Sequence, residues 1–582
     1  MCGLVAWSSE AGDSGPRCIE GLKRLQYRGY DSYGFAFLAN GQLDVLRSLE
    51  SLDDFIESLP ASSAVMGHTR WATHGGVTLS NCHPHLGESV DGAFALAHNG
   101  IVENYEDLRE RCHEAGESDT AIIVSLLSAE LEGGGDRLDA VCAVARELEG
   151  RNTFCVLFAD NELIAFRSGS PLILGRAGSD AALRFVALAS DTFSISPYCD
   201  RCFPLPDRSV VAIRGAGVRV LSLDAQKIDI AWQPVDRQEQ ALSTGEYPHY
   251  MIKEIMEQWQ TVSRQAAAIS GRLDRLVDAI SAARTVFVTG AGGAAFTARQ
   301  IAWMIRETSG LRAIDVPAYE MASVRALASP GDVVIGISQS GETADTLDAI
   351  DCARGWGLTT AALVNMPHST LGREADMTFE SQAGPEICVL STKSATSQLT
   401  FGHLLAGRLA SMDVNVDTLC HQLACFLCAD TLRVFERAAS RLVDASSAFV
   451  LGRGQFHAPA MITALNIKEA SYIHAEAFAA GELKHGVIAL IEPGVPVIVF
   501  APSDDPYMIG VAAEVKARGA FVIGIGDSES ALFDVLLPLP GDAASRSIAS
   551  VIPGQLLAYF AATLRGLNPD RPRNLAKSVT VQ

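Results

Sequence analysis

Apolar positions follow two regimes along the chain. From residue 1 to about 235 they come in short β-rich runs: Ala64 to Met66, Phe94 to His98, Phe154 to Phe158, Leu163 to Phe166 and Ser209 to Ile213. Gly, Asn and Asp punctuate them, as expected of strands joined by turns. This predicts an α+β or layered β domain. Residues 238 to 250 are polar, hold Gly245 and Pro248, and read as a linker, after which a helical pattern runs to about Leu276. Beyond it, the plan of buried strand, glycine turn and helix occurs twice, at VFVTGAGG (286 to 293) and FVLGRG (449 to 454). A second strand follows each, VVIGIS from Val333 and VPVIVF from Val495. Strands alternating with helices at this spacing predict parallel sheets covered on both faces, and the repetition predicts a duplicated doubly wound α/β lobe.

The chain has 582 residues, too many for one core; the usual domain size suggests roughly three to four domains. With 48% hydrophobic and 20% charged residues it has the composition of a globular protein. No run approaches the about twenty apolar residues of a membrane span, so no membrane is expected. The start MCGLVAWSSE lacks the basic and apolar regions of a secretory signal, and thirteen cysteines suit free thiols in a reducing compartment. A cytoplasmic location is expected. A net charge of −22 without a basic stripe argues against nucleic acid and for small-molecule partners.

Two places carry candidate chemistry. After its second strand, the first lobe has Ser338-Gln339-Ser340-Gly341-Glu342-Thr343, hydroxyls and a glycine turn ahead of a helix, which suits a phosphate. The second lobe has Ala501-Pro502-Ser503-Asp504-Asp505 there, whose carboxylates would repel one, so a single phosphate site per chain is expected. Cys2 follows the initiator methionine. Once Met1 is removed, the α-amine of Cys2, with a pKa near ~8, becomes a workable base for its own thiol. By itself Cys2 could equally be a small buried hydrophobe.

Five motifs weigh against that bland reading: MCGLVAW, YRGYDSYG (27 to 34), GHTRWATHG (67 to 75), HNGIVEN (98 to 104) and ESDTA (117 to 121). In order and spacing they resemble the class II glutaminase domain of the N-terminal nucleophile hydrolases, a four-layer fold. The resemblance implies that Cys2 is the nucleophile, that Arg70 clamps the glutamine carboxylate and that Asp119 pairs with its α-ammonium. Asn99 and the Gly100 N–H would form the oxyanion hole, His74 would complete the glutamine site, and Trp71 and Thr73 would lie between the thiol and the ammonia exit. Taken alone, Arg70 could be a surface ion pair and Asn99-Gly100 a type I′ turn.

The remainder resembles the sugar isomerase (SIS) lobes of the glutamine–fructose-6-phosphate aminotransferase family, through SQSGETADT (338 to 346), STKS (391 to 394), KEASYIHAEAFAAGELKHG (468 to 486) and PRNLAKSVTVQ (572 to 582). This implies a glutaminase domain over 1–235, a linker over 236–265, SIS lobes over 266–425 and 426–571, and a catalytic tail over 572–582. It implies glutamine and a sugar phosphate, expected to be fructose 6-phosphate, as partners, ammonia channelled between domains, a homodimer, and neither cofactor nor metal. Lys577 would form a Schiff base, Glu469 shuttle a proton and His485 assist ring opening. Ser338, Gln339, Ser340 and Thr343 would hold the phosphate, with Ser391 beside them. Alone, Glu469 could be a solvated carboxylate, His485 a satisfied histidine and Lys577 a frayed terminal charge.

The match departs from the family at the sugar site. Thr289-Gly290-Ala291-Gly292 stands where two phosphate-binding hydroxyls are expected, Asn466 where a lysine is, and Ile462 where a glutamate is. Backbone N–H groups of the glycine turn could hold phosphate instead, or the site could serve another keto-sugar, with or without isomerisation. A sugar-sensing role for the lobes is a third reading, disfavoured by the intact glutaminase set. Zinc at Cys199-x-x-Cys202 or Cys425-x-x-Cys428 is disfavoured too, because helical periodicity predicts that the second pair lies in a core.

Overall fold

The computed structural model describes residues 2–55, 58–72, 74–112, 116–177, 185–235, 243–269, 271–366 and 368–580. They divide into two compact units, one of residues 1–242 with 576–582, the other of residues 243–575. Each is treated separately.

The first unit holds two antiparallel sheets. One has eight strands, among them Gly3–Ser9 between Phe185–Ala189 and Ala64–Arg70; the other has six, with Gly92–Gly100 between His85–Ser89 and Asn152–Phe158. The strands are apolar on both faces because both faces are covered. In Gly3–Ser9, Leu4 and Ala6 join Ala95, Ala97, Cys155 and Leu157 in a core between the sheets. Val5 and Trp7 face the other way, packing with Leu22 and Leu25 at and after helix Ser14–Arg24. On the far side, Phe94 and Leu96 pack with Ile122 and Ile123 of helix Asp119–Glu132 and Val141 and Val144 of helix Arg137–Glu147. The layers therefore run helix, sheet, sheet, helix, as the sequence predicts. Alanines on the interlayer face let the sheets approach closely.

In the second unit, two five-stranded parallel sheets have the same order. The first runs Ala313–Pro317, Val286–Gly290, Val333–Ser338, Thr359–Val364, Met377–Glu380, and the second His474–Ala479, Ser447–Gly452, Pro496–Phe500, Phe521–Gly526, Val535–Pro538. Each order reverses between its first and third strands in sequence, so each lobe has one switch-point crevice beyond the carboxyl ends of those strands, where ligands of such sheets bind. The duplication is real at the level of topology. One apolar cluster runs through both lobes, from Val286 and Ile335 to Val450 and Ile498.

Several sequence expectations need correction. The stretch 236–265 is not linker throughout: Tyr250–Met256 and Gln258–Ile269 are helices, and Met251, Ile255 and Val262 are fully buried in that cluster. The tail divides at Leu575, its last residues belonging to the first unit. Arg546–Leu564 is long and apolar enough to cross a membrane, contrary to the sequence reading, yet 89% of it is buried inside the structure. Its apolar surface is the core of the second lobe, with Val551, Leu556 and Ala558 fully buried.

Asp570 ties the two ends of the second unit together. Its carboxylate accepts the Tyr250 and Met251 N–H groups, both at 2.7 Å, capping helix Tyr250–Met256 from 320 residues away in sequence. Asp570→Ala is expected to destabilise this unit by about 1–2 kcal/mol, the usual value of a lost cap. Faster hydrogen exchange in peptides covering 250–256 measures it; unchanged exchange there would count against the assignment.

Candidate active sites

Antiparallel register places Gly3 opposite Thr69, so Cys2 emerges beside the end of strand Ala64–Arg70. The Trp71 N–H donates to Cys2 Sγ at 3.4 Å, and the thiol lies 3.6 Å from the Trp71 carbonyl oxygen. That peptide is backed by the YRGYDSYG loop. A Cβ on Gly29 would lie 2.7 Å from the Arg70 carbonyl carbon and 2.8 Å from Trp71 N, so only glycine permits the approach. Asp31 completes the backing: its N–H donates to Arg70 O at 3.0 Å and its carboxylate accepts the Ala72 N–H at 2.8 Å. Burial pushes the Cys2 thiol up, opposed by the chain's N-terminal charge, the Trp71 backbone and Arg70; Asp119 is close enough to raise it further.

Arg70 is 3% exposed and is no surface ion pair. Its guanidinium donates to the carbonyls of His74 at 2.6 Å, Gly76 at 3.0 Å and Gly75 at 3.3 Å, holding the loop that follows the strand. Trp71 and His74 are half-buried, the latter with its ring 5.7 Å from that of Tyr105. Thr73 lies outside the described residues. Asp119 opens helix Asp119–Glu132, 5% exposed, and accepts the Val102 N–H at 3.2 Å and the Thr120 N–H at 2.9 Å.

Asn99 and Gly100 end a central strand, paired with Thr153 and Asn152, and are not a type I′ turn. A Cβ on Gly100 would meet Arg151 O at 2.2 Å. Asn99 spans the two sheets: Oδ1 lies 3.0 Å from His68 Nε2, and Nδ2 donates to Ser190 Oγ at 2.9 Å. Ser190 Oγ in turn accepts the Leu4 N–H at 2.9 Å, two residues after Cys2. The structure thus gathers Cys2, Arg70, Asn99 and Asp119 into one neighbourhood and adds His68, Ser190 and Asp31, which sequence reading misses. Lys577 is half-buried and its N–H donates to Tyr27 O at 3.4 Å; with Ser578 and Thr580 buried, the tail is not frayed.

In the second unit, the crevice of the first lobe lies between the turns after Gly290 and Ser338. Ser338 Oγ accepts the Gly341 N–H at 2.9 Å and lies 3.2 Å from Thr343 Oγ1, ahead of helix Ala344–Gly355. Ser340 Oγ accepts the Glu342 N–H at 3.1 Å, and Gln339 O accepts the Asn365 N–H at 3.0 Å. Gly341 has φ +65, and a Cβ there would lie 2.2 Å from Ser369 Oγ. From Gly293, at the start of the facing helix, a Cβ would reach Ser391 Cβ at 3.6 Å and Leu465 at 4.0 Å. The glycine turn, the STKS loop and helix His457–Ser471 therefore meet, and Glu469 lies one turn beyond Leu465.

Two buried carboxylates absent from the sequence reading hold the STKS loop. Glu386 accepts from Thr392 N, Thr392 Oγ1 and Ser394 N at 2.9 Å each and from Ser394 Oγ at 2.7 Å. Glu254 accepts from Ile387 N and Thr392 Oγ1, both at 2.6 Å, and Ser391 Oγ lies 2.9 Å from Ser394 Oγ. Of the departing positions, Ile462 and Asn466 are both 2% exposed, and Asn466 Nδ2 has no hydrogen-bond partner among the described residues. Glu469 is half-buried, whereas His485 is exposed at the end of the short helical segment Ala480–His485. In the second lobe, Asp504 and Asp527 face Arg546, and Asp505 faces Arg453 at 3.6 Å.

Of the two cysteine pairs, the second diverges from expectation. Cys199 and Cys202 are buried in the apolar layer beside Trp7. Cys425 and Cys428 are exposed instead of lying in a core, because helix Asp417–Phe426 turns Leu419 and Leu423 inward.

Four histidines crowd the region behind Asn99. The His68 and His83 rings are 4.3 Å apart and those of His83 and His85 5.0 Å, while His98 Nε2 lies 3.0 Å from Asn152 Oδ1. Burial pushes all four down, His68 to about 3 and His85 to about 4. The unfolded chain takes up these protons near pH ~6.5, the folded one only far lower, so stability from this cluster is complete above ~6.5 and lost as pH falls toward 3–4. The expected slope is up to about 1.4 kcal/mol per pH unit per histidine. Hydrogen exchange in peptides covering 64–70 and 92–100, corrected for intrinsic rates, should accelerate between pH 7.5 and 5; constant protection would refute the reading.

Comparison with known proteins agrees with this geometry. Residues 37–184 match the class II glutamine amidotransferases, and residues 279–408 and 441–535 match the SIS domain. Proteins named glutamine–fructose-6-phosphate aminotransferase [isomerizing] from Aquifex aeolicus and Bradyrhizobium diazoefficiens are 34% and 37% identical, each over the whole of both chains. The C-terminal domain of glucosamine-fructose-6-phosphate aminotransferase from Francisella tularensis superposes with a TM-score of 0.50 at 29% identity, covering 57% of this chain and 99% of that one. The chain belongs to the glutamine–fructose-6-phosphate aminotransferase (isomerizing) family.

Proposed function

We propose that the chain transfers the amide nitrogen of glutamine to fructose 6-phosphate, giving glucosamine 6-phosphate and glutamate. The observation that carries this is the Cys2 thiol resting on the Trp71 peptide, with Arg70 and Asp119 both near enough to act on its charge. In the glutaminase half, the Cys2 sulfur attacks the carboxamide carbon while its proton passes through the α-amine to the departing nitrogen. Ammonia leaves, and water hydrolyses the γ-glutamyl thioester. Asn99 Nδ2 and the Gly100 N–H stabilise the tetrahedral oxyanion, Asp119 pairs with the substrate ammonium, and Arg70, with His74, Trp71 and Thr73, frames the carboxylate end.

In the sugar half, Ser338, Gln339, Ser340, Thr343 and Ser391 hold the phosphate, with the N-termini of helices Ala344–Gly355 and Gly293–Ser309 adding backbone N–H groups. The open space around Gly292 and the lack of hydroxyls in the turn after buried strand Val286–Gly290 favour binding through backbone N–H groups there. Lys577 forms the Schiff base with C2, ammonia displaces it with C2 keeping an imine, and Glu469 moves the proton from C1 to C2. His485 assists ring opening. Ammonia would be protonated and lost in bulk water, so its transfer must avoid solvent. We assign the chain to the cytoplasm, its thirteen cysteines all being free thiols, and to a homodimer in which exposed His485 is completed by a partner.

A second reading is favoured by Asn466, whose buried Nδ2 has no partner among the described residues: the acceptor is another keto-sugar phosphate. Incubating the purified protein with glutamine and a panel of such sugars separates the two. Fructose 6-phosphate is expected to give amino sugar, and product only from another ketose would replace it.

Two substitutions probe the halves. Cys2→Ala is expected to abolish glutamate release, and glutaminase at the wild-type rate would sink the assignment. Glu386→Ala leaves several buried donors unmet, at about 1–3 kcal/mol each. It should raise the KM for the sugar phosphate tenfold or more while basal glutaminase stays unchanged; an unaltered KM would remove Glu386 from the sugar site.

A further inference from the structure

His68 is fully buried between the sheets of the first unit, and its Nε2 faces two oxygens, the His98 carbonyl at 3.1 Å and Asn99 Oδ1 at 3.0 Å. A carbonyl oxygen only accepts, so Nε2 must carry the hydrogen, and the tautomer is fixed. The other near atom agrees: His83 Nδ1, 3.3 Å from His68 Nε2, itself receives the His98 N–H at 3.4 Å and so offers a lone pair. An Asn amide can be turned end for end at almost no steric cost, so its direction is set by its partners. Here the His68 donor stands at one end, and at the other Ser190 Oγ, 2.9 Å away, directs its own hydrogen to Leu4 O at 3.4 Å and is left to accept, so one orientation remains.

We infer that His68 is a positioning residue for the glutaminase reaction: through Asn99 Oδ1 it holds the amide so that Nδ2 is presented on the Cys2 side, anchored to the nucleophile's own strand through Ser190 and Leu4 N. An NH2 group has two hydrogens. Ser190 takes one, and the second is free for the oxyanion that forms as the thiol adds to glutamine. Reversal of the amide would direct Oδ1 toward that developing negative charge and set the Nδ2 donor against the Nε2–H donor of His68, with only the His98 carbonyl and His83 Nδ1 left to accept there. Because the oxyanion exists only in the transition state, the loss should appear in kcat and not in KM. His68 is kept neutral by its burial, so it orients Asn99 without placing a second cation beside Arg70.

This inference rests on Cys2 and Asn99 having the roles proposed above. The test uses full-length protein carrying His68→Phe, which keeps ring volume without a donor, and His68→Gln, which keeps an N–H. Glutaminase kcat is expected to fall about ten- to a hundredfold in H68F, below the loss of a whole oxyanion donor, with KM for glutamine within about twofold. H68Q should recover most of the rate. Alkylation of Cys2 by iodoacetamide, followed on the N-terminal peptide, passes through no oxyanion and should be unchanged in both. Ser190→Ala should reproduce the same split, and decides the matter if H68F does not fold. A wild-type kcat in H68F or S190A, or alkylation falling in step with kcat, overturns the inference. Failure of the wild-type protein to release glutamate would overturn the glutaminase reading and this inference with it.

Discussion

One peptide unit, that joining Arg70 to Trp71, is the fixed point on which the first unit's chemistry depends. The Cys2 thiol rests against it, Gly29 lies close over it, and Asp31 bonds the groups on either side. A side chain at position 2 would otherwise have the mobility of any terminus. Here the strand Gly3–Ser9, paired on both edges, carries the constraint up to Gly3, and the Trp71 peptide extends it by one residue. The same strand reaches across the sheet interface through Leu4, Ser190 and Asn99, so the proposed nucleophile and the proposed oxyanion donor belong to one hydrogen-bonded frame.

The second unit solves the positioning problem with carboxylates. Glu386 and Glu254 between them accept from the N–H groups of Ile387, Cys388, Thr392 and Ser394 and the hydroxyls of Thr392 and Ser394, and buried Lys393 pairs with half-buried Glu257 at 2.7 Å. Buried carboxylates persist only when their acceptor capacity is used. The consequence is a loop whose hydroxyls are fixed before any ligand arrives, which is what a phosphate site requires. The second lobe has the same sheet order but fills its corresponding turns with Asp504, Asp505 and Asp527 bound to its own arginines. Duplicated topology has thus been put to two uses, an open hydroxyl-lined turn in one lobe and a closed ionic one in the other.

Much of this was legible in the residues. Strand cores were visible because runs buried on both faces are continuously apolar, and the turn at Gly341 was visible because its φ of +65 and the Ser369 hydroxyl where a Cβ would stand call for glycine. Burial sides were harder. Periodicity defines the faces of a helix but not which is covered, so Cys425 and Cys428 are exposed where a core was expected, and the apolar helix Arg546–Leu564 is buried core.

By itself the sequence showed the duplicated α/β plan and the hydroxyl turn, since each rests on a local pattern, while the resemblance of its motifs implied the layer order and made Cys2 the candidate nucleophile. Only the tertiary structure decided the residues that hold those groups in place. His68 meets Asn99 across 31 residues, Ser190 meets Asn99 across 91, and Glu254 meets Thr392 across 138. A histidine, a serine or a glutamate carries no mark of such a partner in its own surroundings. The direction of each hydrogen bond is fixed only when folding removes water and leaves the buried donors only the acceptors the fold brings to them.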